Sequence, residues 1–174
     1  MKEIRYDGNL FLLPKGPEAA AVTTNGIVKS DGHAVMGAGI AKYARDSFSG
    51  FADLLGQLLK KYGNRPYFMG SWQDAHRVKA GLEPSVFVVT MPTKNHWRDP
   101  SDLDLIRKSA AGLVLIADRN NLKMIYLPAP GCSNGGLDYA SQVRPVIETV
   151  LDDRFTLCLP SAIYDALVQK GETR

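Results

Sequence analysis

The sequence predicts a layered α/β domain on a largely parallel sheet, and three observations carry that prediction. Strand-like and helix-like segments alternate along the chain, as they do in β-α units whose strands pair in parallel. The run Val86 to Met91 is almost continuously apolar, which suits a strand covered on both faces. The 174 residues are 45% hydrophobic and 22% charged, the balance of a soluble globular chain able to bury one core without staples. No linker composition and no repeat divides residues 1–174, so a single domain is expected.

The elements follow in order. Glu3 to Tyr6 and Leu10 to Leu13 are short strand candidates around the turn signal Asp7-Gly8-Asn9. Ala20 to Thr24, bounded by Pro17 and Asn25-Gly26, is a third, and the three are expected to pair early in the sheet. Gly37 and Gly39 open an alanine-containing run that continues through Lys42 and Ala44 as a short helix. Phe51, Leu55, Leu58 and Tyr62 recur at helical spacing, and Gly63-Asn64 closes that helix. Tyr67 to Gly70 and Val86 to Met91 read as strands, with the polar stretch Ser71 to Ser85 between them as a loop or hairpin. After Ser101, residues Leu103, Ile106, Ala110, Leu113 and Ala117 fall on one helical face, and Asp104 stands three residues after the serine as in a capping pattern. Met124 to Leu127 is a strand, Val143 to Leu151 a helix, Phe155 to Leu159 a strand and Ala162 to Gln169 a final helix.

Composition excludes several classes. No run of about 18 apolar residues is present to span a bilayer, and Met1 to Arg5 leads into a strand rather than the apolar stretch of a signal peptide. No membrane partner and a cytoplasmic location are therefore expected. Cys132 and Cys158 have no C-x-x-C spacing and fit a reduced compartment. A net charge of +3 is too small to argue nucleic-acid binding by itself. His33, His76 and His96 are scattered without metal-ligand spacing. There is no P-loop, no dinucleotide fingerprint and no serine-hydrolase elbow.

The most informative stretch is Pro128 to Tyr139, P-A-P-G-C-S-N-G-G-L-D-Y, which follows the strand Met124 to Leu127. Glycines let an anion approach the backbone without meeting a Cβ, and successive inward N–H groups form an anion-binding concavity. Together with Met36-Gly37-Ala38-Gly39-Ile40-Ala41 it makes two such segments, which suggests a ligand with two phosphates at the carboxyl ends of the strands. Trp72 and Trp97 are candidates to stack on a base, with Arg98 and Lys94 as cations for a nucleic-acid strand; half-buried packing is the plainer reading of Trp97. Cys132 reads as a packing residue before a nucleophile.

Five segments, in order along most of the chain, resemble those of macrodomains. Gly8-Asn9-Leu10 resembles the G-D/N-L/I opening, and Ala21 to Asn25 the V-N-x-x-N strand end, with Asn25 in the place of the last asparagine. Val35 to Ala41 is similar to a V-M-G-x-G-I-A segment, Met91 to Arg98 to F-P-T-K-x-H-W-R, and Gly131 to Tyr139 to G-C-G-N-G-G-L-D-W. These belong to the branch containing the DNA ADP-ribosyl glycohydrolase antitoxins of the DarG type and, more distantly, the terminal ADP-ribose glycohydrolases.

The resemblance implies a three-layer α/β/α sandwich with a mixed, largely parallel sheet, binding ADP-ribose at the strand ends. It places Asn9 and Leu10 at the adenine. Met36, Gly37, Gly39, Ile40 and Ala41 would lie on one side of the diphosphate, with Pro130, Gly135, Gly136 and Leu137 on the other. Asn25, Cys132, Ser133 and Asn134 would surround the distal ribose, and no cofactor or metal is implied. Lys94 would be the catalytic residue, as nucleophile or as a cation stabilising the opening sugar, with Asn25 and His96 as helpers. Gly135 stands where the terminal ADP-ribose enzymes carry an acid, and Asp138 is expected to cap the following helix. The implied partners are ADP-ribose, an ADP-ribosylated protein or DNA, and an ADP-ribosyltransferase that makes it. A non-catalytic reader and a phosphatase for ADP-ribose phosphorylated at its distal ribose are the alternatives.

Overall fold

The computed structural model describes residues 1–172. Six strands, β1 (Lys2–Arg5), β2 (Glu18–Asn25), β3 (Phe68–Gln73), β4 (Ser85–Lys94), β5 (Met124–Pro128) and β6 (Phe155–Leu159), form one sheet in the order β1-β6-β5-β2-β4-β3. Every neighbouring pair is parallel except β3 with β4, so the sheet is mixed and largely parallel as expected. Helices α1 (Gly39–Ser47) and α2 (Phe51–Tyr62) lead from β2 to β3, and the short α3 (Ala75–Lys79) joins β3 to β4. Helix α4 (Leu103–Arg119) leads from β4 to β5, α5 (Arg144–Ile147) precedes β6, and α6 (Ser161–Gln169) follows it.

Side-chain alternation along the strands divides the core in two. Ala19 and Ala21 of β2, Val89 and Met91 of β4, and Ile125 and Leu127 of β5 pack with Ile106, Ala110, Leu113 and Ala117 of α4 and with Val143 and Ile147. On the other face, Ala20, Val22, Val86 and Val88 pack with Ala44 of α1 and Phe51, Leu55 and Leu59 of α2. The central strand β2 is apolar on both faces because helices cover both, and the architecture is an α/β/α sandwich.

Several elements differ from the sequence expectation. Leu10 to Leu13 is not a strand: Leu10–Leu12 is a 3₁₀ turn, capped by Asn9, whose Oδ1 accepts from the Phe11 N–H at 3.1 Å. Arg77, 2% exposed, fixes that turn by donating to the carbonyls of Phe11 (2.7 Å) and Pro14 (3.0 Å), and to that of Glu83 (2.8 Å). The first two strands do not pair, because β1 lies at the sheet edge beside β6 while β2 sits between β5 and β4. The stretch Ser71 to Ser85 holds α3, whose cap Asp74 accepts from the His76 N–H at 2.8 Å. The cap of α4 is Asp102 and not Ser101, its Oδ1 accepting from Asp104 N–H at 2.9 Å and Leu105 N–H at 3.1 Å.

The helix expected over Val143 to Leu151 begins earlier, as a π-helical turn at Tyr139–Val143, and α5 ends at Ile147. This turn faces Glu3, which is buried on β1. The Tyr139 hydroxyl donates to Glu3 Oε1 at 2.8 Å and an Arg144 nitrogen to Glu3 Oε2 at 2.9 Å. Burial, then Glu3 itself, raises the Tyr139 hydroxyl pKa, so it stays a donor. Replacing Glu3 with Gln is expected to cost about 3 kcal/mol by leaving Arg144 uncompensated, read as a lower urea midpoint at unchanged slope.

Candidate functional site

The parallel strands β2, β4, β5 and β6 end on one side of the sandwich, where their loops enclose a cleft. It consists of two adjoining cavities of about 490 and 570 Å³ that share Gly39, Ile40, Pro128, Ala129 and Ser133. The cleft straddles the β2–β5 neighbours, from which the chain leaves toward opposite faces, and a crevice opens at such a switch.

The first cavity is bounded by Tyr6, Asp7, Asn9, Phe11, Tyr43 and Ile163 among others. The Phe11 and Tyr43 rings stack at 5.0 Å and 15°. Asn9 is held at both ends of its amide: Oδ1 takes the Phe11 N–H, and Nδ2 donates to the Tyr43 hydroxyl at 2.8 Å. That hydroxyl donates in turn to buried Asp74 at 2.8 Å, and burial followed by the Asp74 bond raises its pKa. Asp7 Oδ1 accepts from the Ser161 N–H at 2.9 Å, and the bonds from Ser161 hold its carboxyl below the usual range.

In the second cavity Asn25 clamps the loop of residues 26–34 at its base. Its Oδ1 accepts from Ile27 N–H at 3.1 Å and its Nδ2 donates to Val35 C=O at 2.9 Å. The loop folds as a small hairpin with a Val28–Ala34 bridge, and it lies so close to α2 that a Cβ on Gly56 would stand 1.9 Å from the Gly32 oxygen. Across the cavity, Lys94 at the end of β4 donates from Nζ to the Asn134 carbonyl at 2.6 Å, joining β4 to the glycine loop. Trp97 stands at the same cavity, 46% exposed.

Between these ends lie two sets of backbone donors. Helix α1 starts at Gly39, whose φ of +54° favours glycine, and no side chain caps it. The N–H groups of Gly37 and Ala38, and of Ser133, Asn134 and Gly135 opposite, donate to no protein group among the described residues. An uncapped helix start and a loop of unpaired N–H groups are features that can receive an anion. Gly135 cannot be otherwise: a Cβ there would meet Ser101 Oγ at 2.1 Å and the Gly131 oxygen at 2.3 Å. Asp138 caps the next turn as expected, accepting from Ser141 N–H at 2.8 Å.

Of the residues expected from sequence, the second cavity gathers Asn25, Met36, Gly37, Gly39, Ile40, Ala41, Lys94, Ser133, Asn134 and Gly135. The first gathers Asn9, Leu10 and Cys132. Pro130, Gly136, Leu137 and His96 line neither, and the His96 ring lies instead against Trp97. Among the described residues no three His, Cys, Asp or Glu side chains cluster as metal ligands would, and no helix is long and apolar enough to cross a membrane. Burial and the Asp138 charge push the Cys132 thiol up to about 12. Its thiolate fraction at pH 8 is then on the order of 10⁻⁴, so slow alkylation by iodoacetamide, and full activity in Cys132→Ser, are expected.

Sequence reasoning missed Tyr43, Asp7, Phe11 and Ser101. Tyr43 had a signal, since it lies four residues after Gly39 on one face of the same helix. Asp7 and Phe11 had none, because their place depends on α6 and Arg77 from far along the chain.

No protein-family model matches the chain. The fold is that of a macrodomain: the macrodomain of Thermus aquaticus DarG superposes with a TM-score of 0.65 at 24% identity, covering 92% of this chain and 97% of that one. Thermosipho africanus DarTG in complex with ADP-ribose matches with a TM-score of 0.75 at 23% identity, over 96% of this chain and 44% of that one. In sequence, the DNA ADP-ribosyl glycohydrolase of Mycobacterium tuberculosis is 36% identical over 58 residues, which is 33% of this chain and only 16% of that protein.

Proposed function

We propose that the chain is an ADP-ribosyl glycohydrolase that removes ADP-ribose from modified DNA. The observation that carries this reading is Lys94, a cation fixed at the far end of a cleft whose middle is lined by unpaired N–H groups. The adenine lies in the first cavity by Phe11, Asn9 and Asp7, and the diphosphate between the starts of α1 and of the glycine loop. The distal ribose then reaches the second cavity, against Asn25, Ser133 and Asn134, with its anomeric carbon toward Lys94.

The bond from that carbon to the base breaks, and water supplies the hydroxyl to the carbon and its other proton to the leaving base. Lys94 Nζ donates to the Asn134 carbonyl, which holds it at the end of the cleft where its charge stabilises the opening sugar. An ADP-ribosyltransferase must supply the modified DNA. The relatives named as DNA ADP-ribosyl glycohydrolases favour DNA over protein as the carrier. Two free cysteines, Cys158 buried and Cys132 half-buried, suit a reducing cytoplasm.

The test is calorimetric titration with ADP-ribose followed by release of ADP-ribose from a modified DNA strand. Micromolar binding with release is expected. Binding without release on either DNA or protein returns the chain to a reader, and phosphate release from the distal-ribose phosphoester makes it a phosphatase.

A further inference from the structure

We propose that Trp97, with Arg98 and His96, is a stacking platform for the nucleobase that carries the ADP-ribose. The inference rests on the glycohydrolase reading and adds the other side of the scissile bond. Trp97 borders the cavity that holds Lys94 and Asn134, so a base leaving the anomeric carbon beside Lys94 meets the indole. Its 46% exposure is unusual for a tryptophan next to a strand, and it leaves apolar ring surface open to solvent at the mouth of the cleft.

The surroundings of the ring suit a base attached to a polyanion. The Arg98 guanidinium lies 4.6 Å from the indole centroid, and the His96 ring is stacked 5.7 Å away at 23°. Arg98 is exposed, so an incoming base can displace it from the ring and leave it to meet a phosphate. The platform is also held in place. Asn64 Nδ2 donates to the Lys94 carbonyl at 2.9 Å and to Asn95 Oδ1 at 3.1 Å, and the Gly26 N–H donates to the Asn95 carbonyl at 3.1 Å. A base in a paired duplex cannot reach the ring, because both of its faces are already stacked.

The experiment compares wild type, Trp97→Ala and Trp97→Phe on an ADP-ribosylated single-stranded oligonucleotide, an ADP-ribosylated peptide and free ADP-ribose. Trp97→Ala is expected to lose about tenfold or more in kcat/KM on the DNA, the worth of one base stack, with Phe retaining most of it. The Kd for ADP-ribose and the rate on the peptide should stay within twofold. A tenfold loss shared by ADP-ribose or the peptide would show that Trp97 belongs to the ribose pocket and overturn the platform; so would an unchanged rate on DNA. If the wild type releases nothing from DNA, the glycohydrolase reading fails on its own. The platform is then judged by fluorescence anisotropy with the unmodified oligonucleotide, where an equal Kd for wild type and Trp97→Ala overturns it and a tenfold weaker one upholds it.

Discussion

Replacing Lys94 with Ala is expected to lower the release of ADP-ribose from DNA by about 10²–10³-fold, the worth of one preorganised electrostatic stabiliser, with ADP-ribose affinity within a few-fold. The separation follows from where the residue sits. The Lys94 side chain makes one hydrogen bond, to the Asn134 carbonyl, at the end of the cleft remote from the first cavity, so most of the binding surface survives its truncation. The side chain is only partly buried, and its removal leaves no large void in either core cluster. A parallel loss of binding and turnover would assign Lys94 to uniform binding rather than to the transition state. Unchanged turnover would remove it from the mechanism altogether. Lys94→Gln keeps a donor without the charge and should behave like Ala if the charge is what acts.

A second large effect is expected at Gly135. The Cβ of Ala at this position would lie 2.1 Å from Ser101 Oγ and 2.3 Å from the Gly131 oxygen, distances no real contact sustains. Ser101 is buried under the loop, and its N–H donates to the Gly135 carbonyl at 3.0 Å, so the loop must move as a unit. A displacement approaching 1 Å misplaces the N–H groups of Ser133, Asn134 and Gly135 together, and a weakening of ADP-ribose binding by about 100-fold in calorimetry is the expected result. Adding Ser101→Gly removes one of the two clashes and should restore binding only in part. Wild-type affinity in Gly135→Ala would mean that the loop donors do not hold the ligand. The same crowding explains why an acid has no place here: a longer side chain at position 135 meets backbone on one side and Ser101 on the other.

The layered fold was legible because its signals are local. Periodicity located α2 and α4, and the apolar runs located β4, β5 and β6. The errors lie where distant residues decide. Leu10 to Leu13 has strand composition, yet Arg77 captures its carbonyls and Asn9 caps it, so the tertiary bonds outweigh propensity. The helix after β5 starts at a turn whose Tyr139 hydroxyl bonds Glu3, 136 residues away, a contact no local pattern announces. Within the cleft, the glycine segments, Asn25 and Lys94 could be read from spacing and resemblance. Phe11 could not, since its stacking on Tyr43 joins separate elements and leaves no trace in a linear pattern.

The edge position of β1 bears on how the protein comes into being. A bond such as Ser161 N–H to Asp7 spans 154 residues, and among the described residues β1 has no neighbour in the sheet other than β6. During synthesis at roughly 5–20 residues per second, the first dozen residues therefore wait on the order of ten seconds for their partner strand to leave the ribosome. The walls around Lys94 come from residues 23–135 and can assemble beforehand, whereas the pocket bounded by Tyr6, Asp7 and Ile163 cannot exist until β6 and the start of α6 have emerged. The cavity around Lys94 thus forms before the one beside β1, and closing the sheet is the step that completes the cleft.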